Sequence, residues 1–431
     1  MKARYLLAGT VLAGLLLAVT VTVLNFRGDA PLPSPDDDAV TAAYALTPTK
    51  VARGEYLARA GNCMGCHTTR GGVPYAGGRG FGTPFGTVYT PNLTPDPDTG
   101  IGRWSSAHFW RAMHNGRSRN GRFLYPVFPY PNYTHITRED SDALYAYLHS
   151  LPPTTQANRP HALDFPYNSQ VALAVWRALF FKPGGLVAEP ARSAEWNRGA
   201  YLVQGLGHCN ACHSSRNALG APSGVFDLGG GLIPMQNWYA PSLTSPQEAG
   251  VSDWELPRIV ALLKDGVAPG ALVTGPMAEV VQNSTQYLND ADLHAMATYL
   301  KALPVSPSPA AKPADATPVT PPANLRGAKV YEQHCAQCHG EQGEGAPGVY
   351  PALAGNRSVT MASPANLVRT VLEGGFAPGT AGNPRPYGMP PFATVLAPDD
   401  LAAVLTFVRG AWGNRAEPVT ALDLNRYRGS E

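Results

Sequence analysis

The residues best suited to chemistry in this sequence form three Cys-x-x-Cys-His groups, which together contain every cysteine of the chain. The groups are Cys63, Cys66 and His67; Cys209, Cys212 and His213; and Cys335, Cys338 and His339. One helical turn can present both thiols of such a group to one porphyrin edge, while the adjacent histidine faces the metal. The pattern predicts three covalently bound haem c groups, with the cysteines as attachment sites and the histidines as iron ligands.

Two other uses of six cysteines are possible. An exported chain could form three disulfides, or Cys-x-x-Cys pairs could hold zinc. Disulfides do not require a histidine at the same offset three times, and zinc would need four ligands assembled from distant pairs. The spacing therefore favours haem.

A haem that carries electrons usually has a second protein ligand, and methionine opposite histidine raises the reduction potential. Met277 of VTGPMAEVVQNS and Met389 of RPYGMPPFATV each follow a haem group and lie beside glycine or proline. We predict that they are the second ligands in the second and third domains. Met235 and Met361 are weaker alternatives.

The first domain lacks a methionine at the corresponding place. YPVFPYPNY puts Phe128 there, and phenylalanine cannot coordinate iron. We predict His135 of NYTHIT as the ligand. The alternatives are three residues of SAHFWRAMHNG, an open position or an external ligand. Those three residues are His108, Met113 and His114.

The haem groups lie inside an internal repeat. RGEYLARAGNCMGCH matches RGAYLVQGLGHCNACH and, more loosely, RGAKVYEQHCAQCH; each copy closes with a helix pattern, TREDSDALYAYLHSLP, NDADLHAMATYLKALP or APDDLAAVLTFVRGAW. Acidic residues near the helix start and apolar residues at helical spacing support this interpretation. The sequence predicts a mainly α fold with three tandem class I cytochrome c-like domains.

Composition changes indicate the boundaries between these parts. We predict a membrane anchor (1–28), domain 1 (49–155), an interdomain connection (156–192), domain 2 (193–304), a Pro-rich linker (305–322), domain 3 (323–415) and a C-terminal tail (416–431). The linker composition is typical of semi-rigid spacers, so we expect domain 3 to be the more independent one. The apolar run within 168–185 predicts a helix packed between domains, or else a docking surface for a partner or the lipid interface.

The N-terminus carries about 20 uncharged, mostly apolar residues, enough to cross a bilayer. Lys2 and Arg4 precede this run and Asp36 to Asp38 follow it, so the positive-inside rule places the bulk on the periplasmic side of a bacterial inner membrane. A cleaved signal peptide is the alternative and gives the same side. The charge balance of 33 basic against 31 acidic residues, without a basic stripe, indicates no nucleic-acid partner.

With the three haem groups, the repeated Y-x-P-x-L-T, G-P-M and G-M-P-P-F segments and the apolar N-terminus, the chain resembles the three-haem cytochrome c subunits of membrane-bound bacterial dehydrogenases. The resemblance implies electron transfer from a catalytic subunit of molybdopterin, PQQ or flavin type to ubiquinone or a terminal oxidase. We expect the partner to oxidise aldehydes or alcohols. The P-V-F-P-Y segment is similar to that of cytochromes accompanying molybdopterin aldehyde dehydrogenases, whereas family members paired with alcohol or sugar-acid dehydrogenases usually carry P-A-M-P-Y, so the resemblance favours aldehydes.

The rival hypothesis is a peroxidase-like haem enzyme with an open first haem. The sequence offers neither a dinucleotide-binding glycine fingerprint nor a nucleophile with a base, so we expect the isolated chain to turn over no substrate.

Overall fold

The chain divides into two units in the computed structural model, which describes residues 2–29, 32, 46–222, 227–306 and 321–428. Unit 1 consists of Met1–Ala188 with Gln204–His208, and unit 2 of Glu189–Val203 with Cys209–Glu431. Helices dominate the described residues, and the strands there form one three-stranded sheet and three short hairpins. The predicted mainly α fold is confirmed.

Unit 1 carries the predicted anchor and the first domain. Its helices are α1 (Lys2–Phe26), α2 (Pro48–Ala60), α3 (Cys63–Cys66), α4 (Ser106–Asn115), α5 (Tyr130–Tyr133), α6 (Arg138–Ser150) and α7 (Gln170–Phe180). Its antiparallel strands are β1 (Gly80–Thr83), β2 (Gly86–Tyr89) and β3 (Ala162–Leu163), in that spatial order. Because β3 pairs Ala162 with Thr87, the start of the expected interdomain connection completes the first domain.

Unit 2 contains the second and third domains. The second has α8 (Ala194–Ala200), followed in the chain by a π-helical turn (Tyr201–Leu206), α9 (Asn210–His213), α10 (Leu256–Asp265), α11 (Gly275–Asn283), a 3₁₀ turn (Thr285–Tyr287) and α12 (Asp290–Lys301). Its hairpins pair β4 (Gly231–Ile233) with β5 (Trp238–Ala240) and β6 (Val267–Ala268) with β7 (Ala271–Leu272).

The third domain has α13 (Pro321–His334), α14 (Ala336–His339), α15 (Arg357–Thr360), α16 (Ala365–Glu373), α17 (Pro398–Gly410) and α18 (Ala421–Tyr427). Its hairpin pairs β8 (Gly375–Phe376) with β9 (Gly388–Met389). Residues 307–320 of the expected Pro-rich linker, like Asp36 to Asp38, lie outside the described residues.

A glycine lies where the first helix of each domain crosses the closing helix of the sequence repeat, which is α6, α12 or α17. A Cβ on Gly54 would lie 1.9 Å from the carbonyl oxygen of Ala143, and the corresponding distance from Gly199 to Ala295 is 2.0 Å. From Gly327 to the carbonyl oxygen of Ala403 it is 2.2 Å. Only a residue without a side chain therefore lets the two backbones approach this closely.

An ion pair spans the same crossing in all three domains. It is formed by the arginine that precedes the glycine and an aspartate in the first turn of the closing helix. The pairs are Arg53–Asp140 (3.0 Å), Arg198–Asp292 (2.8 Å) and Arg326–Asp400 (2.7 Å). The repeated Arg-Gly dipeptide of the sequence thus marks one helix–helix contact made three times.

The third domain packs against the second within unit 2. Arg357 pairs with Asp253 at 2.6 Å and also donates to the carbonyl of Gly250. The amide side chain of Asn366 exchanges two hydrogen bonds with the backbone of Tyr239, at 2.8 and 2.7 Å. We expected the third domain to be the more independent one, but these polar contacts join it to the second domain.

The expected C-terminal tail belongs to the core of the third domain. Val419, Leu424 and Tyr427 are buried in the same apolar cluster as Val404 on α17. The side chain of Arg409, also buried, donates to the carbonyl of Glu417 at 2.7 Å. Residues 416–428 therefore extend the third domain, and residues 429–431 lie outside the described residues.

The apolar run within 168–185 forms helix α7, which packs against the end of α1; its packing between domains stays a prediction. The Asn25 side chain donates to the carbonyl of Ala174 in α7 at 2.8 Å. Residues Arg4–Phe26 of α1 form the one helix among the described residues that is long and apolar enough to cross a membrane.

We predict that Gly54→Ala destabilises the first domain, because the new Cβ must displace the backbone of Ala143. Overpacking of this kind costs about 1–3 kcal/mol. Thermal unfolding of the detergent-solubilised chain, followed by circular dichroism, should show a lower transition temperature. Gly185→Ala is the control, since no atom lies within 4 Å of its Cβ position. Equal effects of the two substitutions would contradict the role of the crossing glycine.

Candidate haem sites

Each Cys-x-x-Cys-His group forms a single helical turn. The amide of His67 donates to the carbonyl of Cys63 at 2.9 Å, and the same bond recurs from His213 to Cys209 and from His339 to Cys335, each at 2.9 Å. The first cysteine and the histidine therefore lie one turn apart on the same side of the helix. No disulfide joins any two of the six cysteines, all of which lie in the described residues.

A proline carbonyl orients the histidine ring at all three sites. The Nδ1 atom lies 2.8 Å from the oxygen of Pro91 in His67, 2.7 Å from that of Pro241 in His213, and 2.9 Å from that of Pro351 in His339. A carbonyl oxygen can only accept, so Nδ1 carries the proton and Nε2 is left to bind a metal. Ligating histidines are generally held by such a second hydrogen bond.

These prolines were not assigned a role from the sequence, although a signal for them exists. Pro91 and Pro241 occupy the same place in the repeated segments YTPNLT and YAPSLT, and Pro351 follows a tyrosine in YPAL. The contact is made by a backbone atom, which no residue pattern reports directly.

A glycine allows the proline segment to approach each histidine. Gly77 donates its amide to the carbonyl of His67 at 2.8 Å and has φ +75°, and a Cβ there would lie 2.4 Å from the backbone of Pro91. Gly230 (φ +80°) makes the same amide bond to the second histidine, and Gly345 (φ +68°) makes it to the third. Left-handed backbone and close approach both require glycine at these three positions.

Burial keeps the three histidines neutral. It lowers the pKa of His67 to about 4 and also lowers the pKa of His213 and His339. The neutral imidazole is the form that binds metal. Burial also raises the pKa of the Cys63 and Cys209 thiols to about 12.

The residues at these sites fit haem c and do not fit zinc. Two sulfurs and one imidazole on a single turn match the attachment chemistry of the cofactor. In the described part of the chain, no group of three or more His, Cys, Asp or Glu side chains lies close enough to hold a metal ion. A zinc site would need such a group.

The two predicted methionine ligands lie on segments whose backbone is fixed by neighbouring residues. Met389 is half-buried against the same apolar cluster as Cys335, and its strand β9 pairs with Gly375. Met277 is half-buried in the first turn of α11, next to Gly275, whose backbone (φ +54°) packs on the ring of Trp238. Iron ligation by either methionine stays a prediction.

The two weaker alternatives lie elsewhere. Met235 is 55% exposed between β4 and β5. Met361 is buried, and its carbonyl accepts a hydrogen bond from Arg409. These surroundings favour Met277 and Met389 over both.

Phe128 lies close to the attachment turn of the first domain. Its ring centroid is 5.4 Å from that of Tyr133, whose hydroxyl donates to the carbonyl of Gly61. Burial, with the neighbouring Cys63 and Cys66, raises the pKa of Tyr133. The position that lacks methionine is therefore filled by packed aromatic rings.

The structure places the four candidate sixth ligands of the first domain in different surroundings. The ring of His108 bonds the hydroxyl of Ser105 at the start of α4 (2.7 Å), and that of His114 stacks on Trp110. Met113 is buried in the core. His135 is half-buried, and burial lowers the pKa of its ring while the nearby Gly184 backbone opposes that shift.

Comparisons with known proteins agree with this chemistry. A family model described as cytochrome c matches residues 51–152 and 325–412, within the first and third domains. The chain is 38% identical over 430 residues to the cytochrome c subunit of the quinone alcohol dehydrogenase of Gluconacetobacter polyoxogenes, covering 96% of this chain and 90% of that protein.

Two further relatives carry other names. The gluconate 2-dehydrogenase cytochrome c subunit of Pantoea cypripedii is 37% identical over 438 residues, covering 96% of this chain and 95% of its own. The fructose dehydrogenase cytochrome subunit of Gluconobacter japonicus is 33% identical over 426 residues, covering 93% of this chain and 86% of its own.

We predict that Gly345→Ala raises the reduction potential at the third site. The new Cβ would lie 2.6 Å from the backbone of Ala352 and push the Pro351 carbonyl away from His339. Loss of that hydrogen bond makes the ring a weaker donor and favours reduced iron. A spectroscopic redox titration measures the shift.

The matched control is Gly348→Ala. Gly348 has nearly the same backbone angle, φ +73°, but no atom within 4 Å of its Cβ position. Both variants carry the same backbone strain, so equal potentials in the two would refute the role of the Pro351 contact.

Proposed function

Because the chain belongs to the cytochrome c subunits of membrane-bound, quinone-dependent dehydrogenases, we propose that it binds three haem c groups. Through them it passes electrons from a separate catalytic subunit toward ubiquinone or a terminal oxidase. The observation that supports the count is the threefold recurrence of a Cys-x-x-Cys-His turn whose histidine bonds a proline carbonyl.

A haem c bound at each turn supplies a one-electron iron couple. The residues of this chain determine how that couple behaves. The cysteine pairs would hold the macrocycle, and the proline carbonyls fix the orientation and tautomer of the histidine rings. Burial lowers the pKa of these rings, so they remain neutral ligands.

The proposed second ligands are Met277, Met389 and, in the first domain, His135. Both methionines are half-buried. Met277 lies in the first turn of α11, and Met389 lies in β9, which pairs with β8. His135 is proposed because Phe128 stands where the other domains have methionine, and because His135 lies 68 positions after His67, close to the 64 positions from His213 to Met277. A histidine at the first site would give that haem a lower potential than a methionine would.

The proposed partner is an aldehyde- or alcohol-oxidising catalytic subunit of molybdopterin, PQQ or flavin type. The names of relatives support a dehydrogenase partner, that of the alcohol dehydrogenase subunit supports alcohols, and the P-V-F-P-Y segment favours aldehydes. The peroxidase-like alternative has no support in the comparisons, whose full-length matches are dehydrogenase subunits.

The proposed location is a bacterial inner membrane, with α1 as a single anchor and the bulk on the periplasmic side. The exposed apolar side chains along α1 support a lipid environment, and Lys2 and Arg4 support the orientation.

Haem counting tests the cofactor proposal. We expect the purified full-length chain to give three haems by pyridine haemochrome assay, and the double variant Cys209→Ser/Cys212→Ser to give two. The chain alone should oxidise no alcohol or aldehyde, whereas the same substrates should reduce its haems once the catalytic subunit is present. Another count, or turnover by the chain alone, would refute the proposal.

Carbon monoxide tests the second ligands, because it binds reduced haem that has an open position. We expect little spectral change in the wild type and a change in one haem of three in His135→Ala and, separately, in Met389→Leu. Suitable controls are His108→Ala and Met361→Leu, which should resemble the wild type. A large change in the unaltered chain would indicate an open first site.

A further inference from the structure

The outward face of α7 is apolar and uncovered within unit 1. Val171, Val175 and Leu179 follow one another at four-residue spacing and are 75%, 43% and 64% exposed. Phe165 before the helix and Val187 after it are 85% and 83% exposed. A continuous apolar stripe of this kind on the surface marks a site of contact with another apolar phase.

The opposite face of α7 is fixed to the rest of unit 1. Leu173 and Arg177 are buried, and the guanidinium of Arg177 donates to the carbonyl of Asn115 at 2.7 Å and lies over the ring of Tyr130 at 5.0 Å. These contacts prevent the helix from rotating its apolar stripe inward. The stripe must therefore face outward in the folded protein.

The end of α1 lies directly beside α7. Asn25, in the last turn of α1, donates to the carbonyl of Ala174 and accepts from Arg177 at 2.9 Å. Close by, an ion pair joins Asp29 to Arg117. The middle of α7 is consequently held at the level where the apolar stretch of α1 ends.

The lipid-facing surface of α1 continues to that level. Val23 and Phe26 in its last turn are 62% and 49% exposed. Arg27 and Lys182 are exposed next to the two helix ends, where cations can meet lipid phosphates. Apolar side chains toward the hydrocarbon and cations at its border are the pattern of a helix that lies in the membrane interface.

We propose that α7 lies in the periplasmic membrane interface with Val171, Val175 and Leu179 immersed among lipid chains, forming a second membrane contact beside α1. The proposal rests on the membrane anchoring by α1 proposed above. Since Arg177 also binds the backbone of Asn115 and Gly116, this contact sets how the first haem domain is oriented on the bilayer surface.

Spin labels on single introduced cysteines test the proposal in the full-length chain, reconstituted in lipid nanodiscs. The native cysteines are consumed by haem attachment, so Val175→Cys provides the reactive thiol. Oxygen partitions into the bilayer and a charged nickel chelate stays in water. We expect the label at 175 to collide more with oxygen than with nickel, and the label of the control Val73→Cys, a 49% exposed loop residue, to show the reverse.

Two results would overturn the proposal. A label at 175 that behaves like the label at 73 faces water, and a label shielded from both reagents is covered by protein. Unchanged haem spectra and transition temperature verify that the labelled chain is folded, and Val171→Cys repeats the measurement on the same stripe.

A third label separates this proposal from the anchoring on which it rests. Val11→Cys lies in the middle of α1, where Val11 is 55% exposed. Oxygen preference at 11 but not at 175 refutes only the contact by α7. Nickel preference at 11 refutes the anchoring, and the α7 proposal with it.

Discussion

The hydrogen bond between a proline carbonyl and a histidine Nδ1 is the constraint on which the rest of each domain depends. It selects the tautomer and directs Nε2 to one place, and it recurs within 2.7–2.9 Å at all three sites. The histidine lies on a short helix and the carbonyl on a separate segment. The fold must therefore bring two stretches of backbone together, which the left-handed glycines beside each histidine permit.

The crossing of the first helix with the closing helix of the repeat supplies the frame for that contact. A glycine without a side chain brings the two helix backbones together, and an arginine–aspartate pair spans the same crossing. The arginines of these pairs are partly exposed, but Asp140 and Asp292 are buried, so the pair supplies a partner for a carboxylate that the crossing takes out of water and also sets the register of the two helices. The attachment turn follows the first helix within a few residues, so the crossing of the two helices also determines where the turn lies.

The first domain departs from the repeat in two ways. Phe128 fills the place where the other domains have methionine, and a buried arginine ties the domain to α1 and α7. Arg177 is bound by carbonyl oxygens and aromatic rings.

The third domain also contains a buried arginine, Arg409, which is bound by carbonyl oxygens. Such partners offset the cost of burying a cation. Burial lowers the pKa of Arg409 to about 10, so the side chain stays charged at neutral pH.

The sequence by itself determined the features that depend on neighbouring residues: the attachment turns, the helices, the Arg-Gly dipeptides and the apolar α1. A helical turn is held by bonds between residues four apart, so its chemistry is visible as spacing. Only the tertiary structure decided that Pro91, Pro241 and Pro351 orient the histidines, that the third domain packs on the second, that α18 joins its core, and that the stripe of α7 faces outward. Those outcomes depend on backbone atoms and on contacts between residues far apart in the chain, which leave no periodic pattern in the amino-acid sequence.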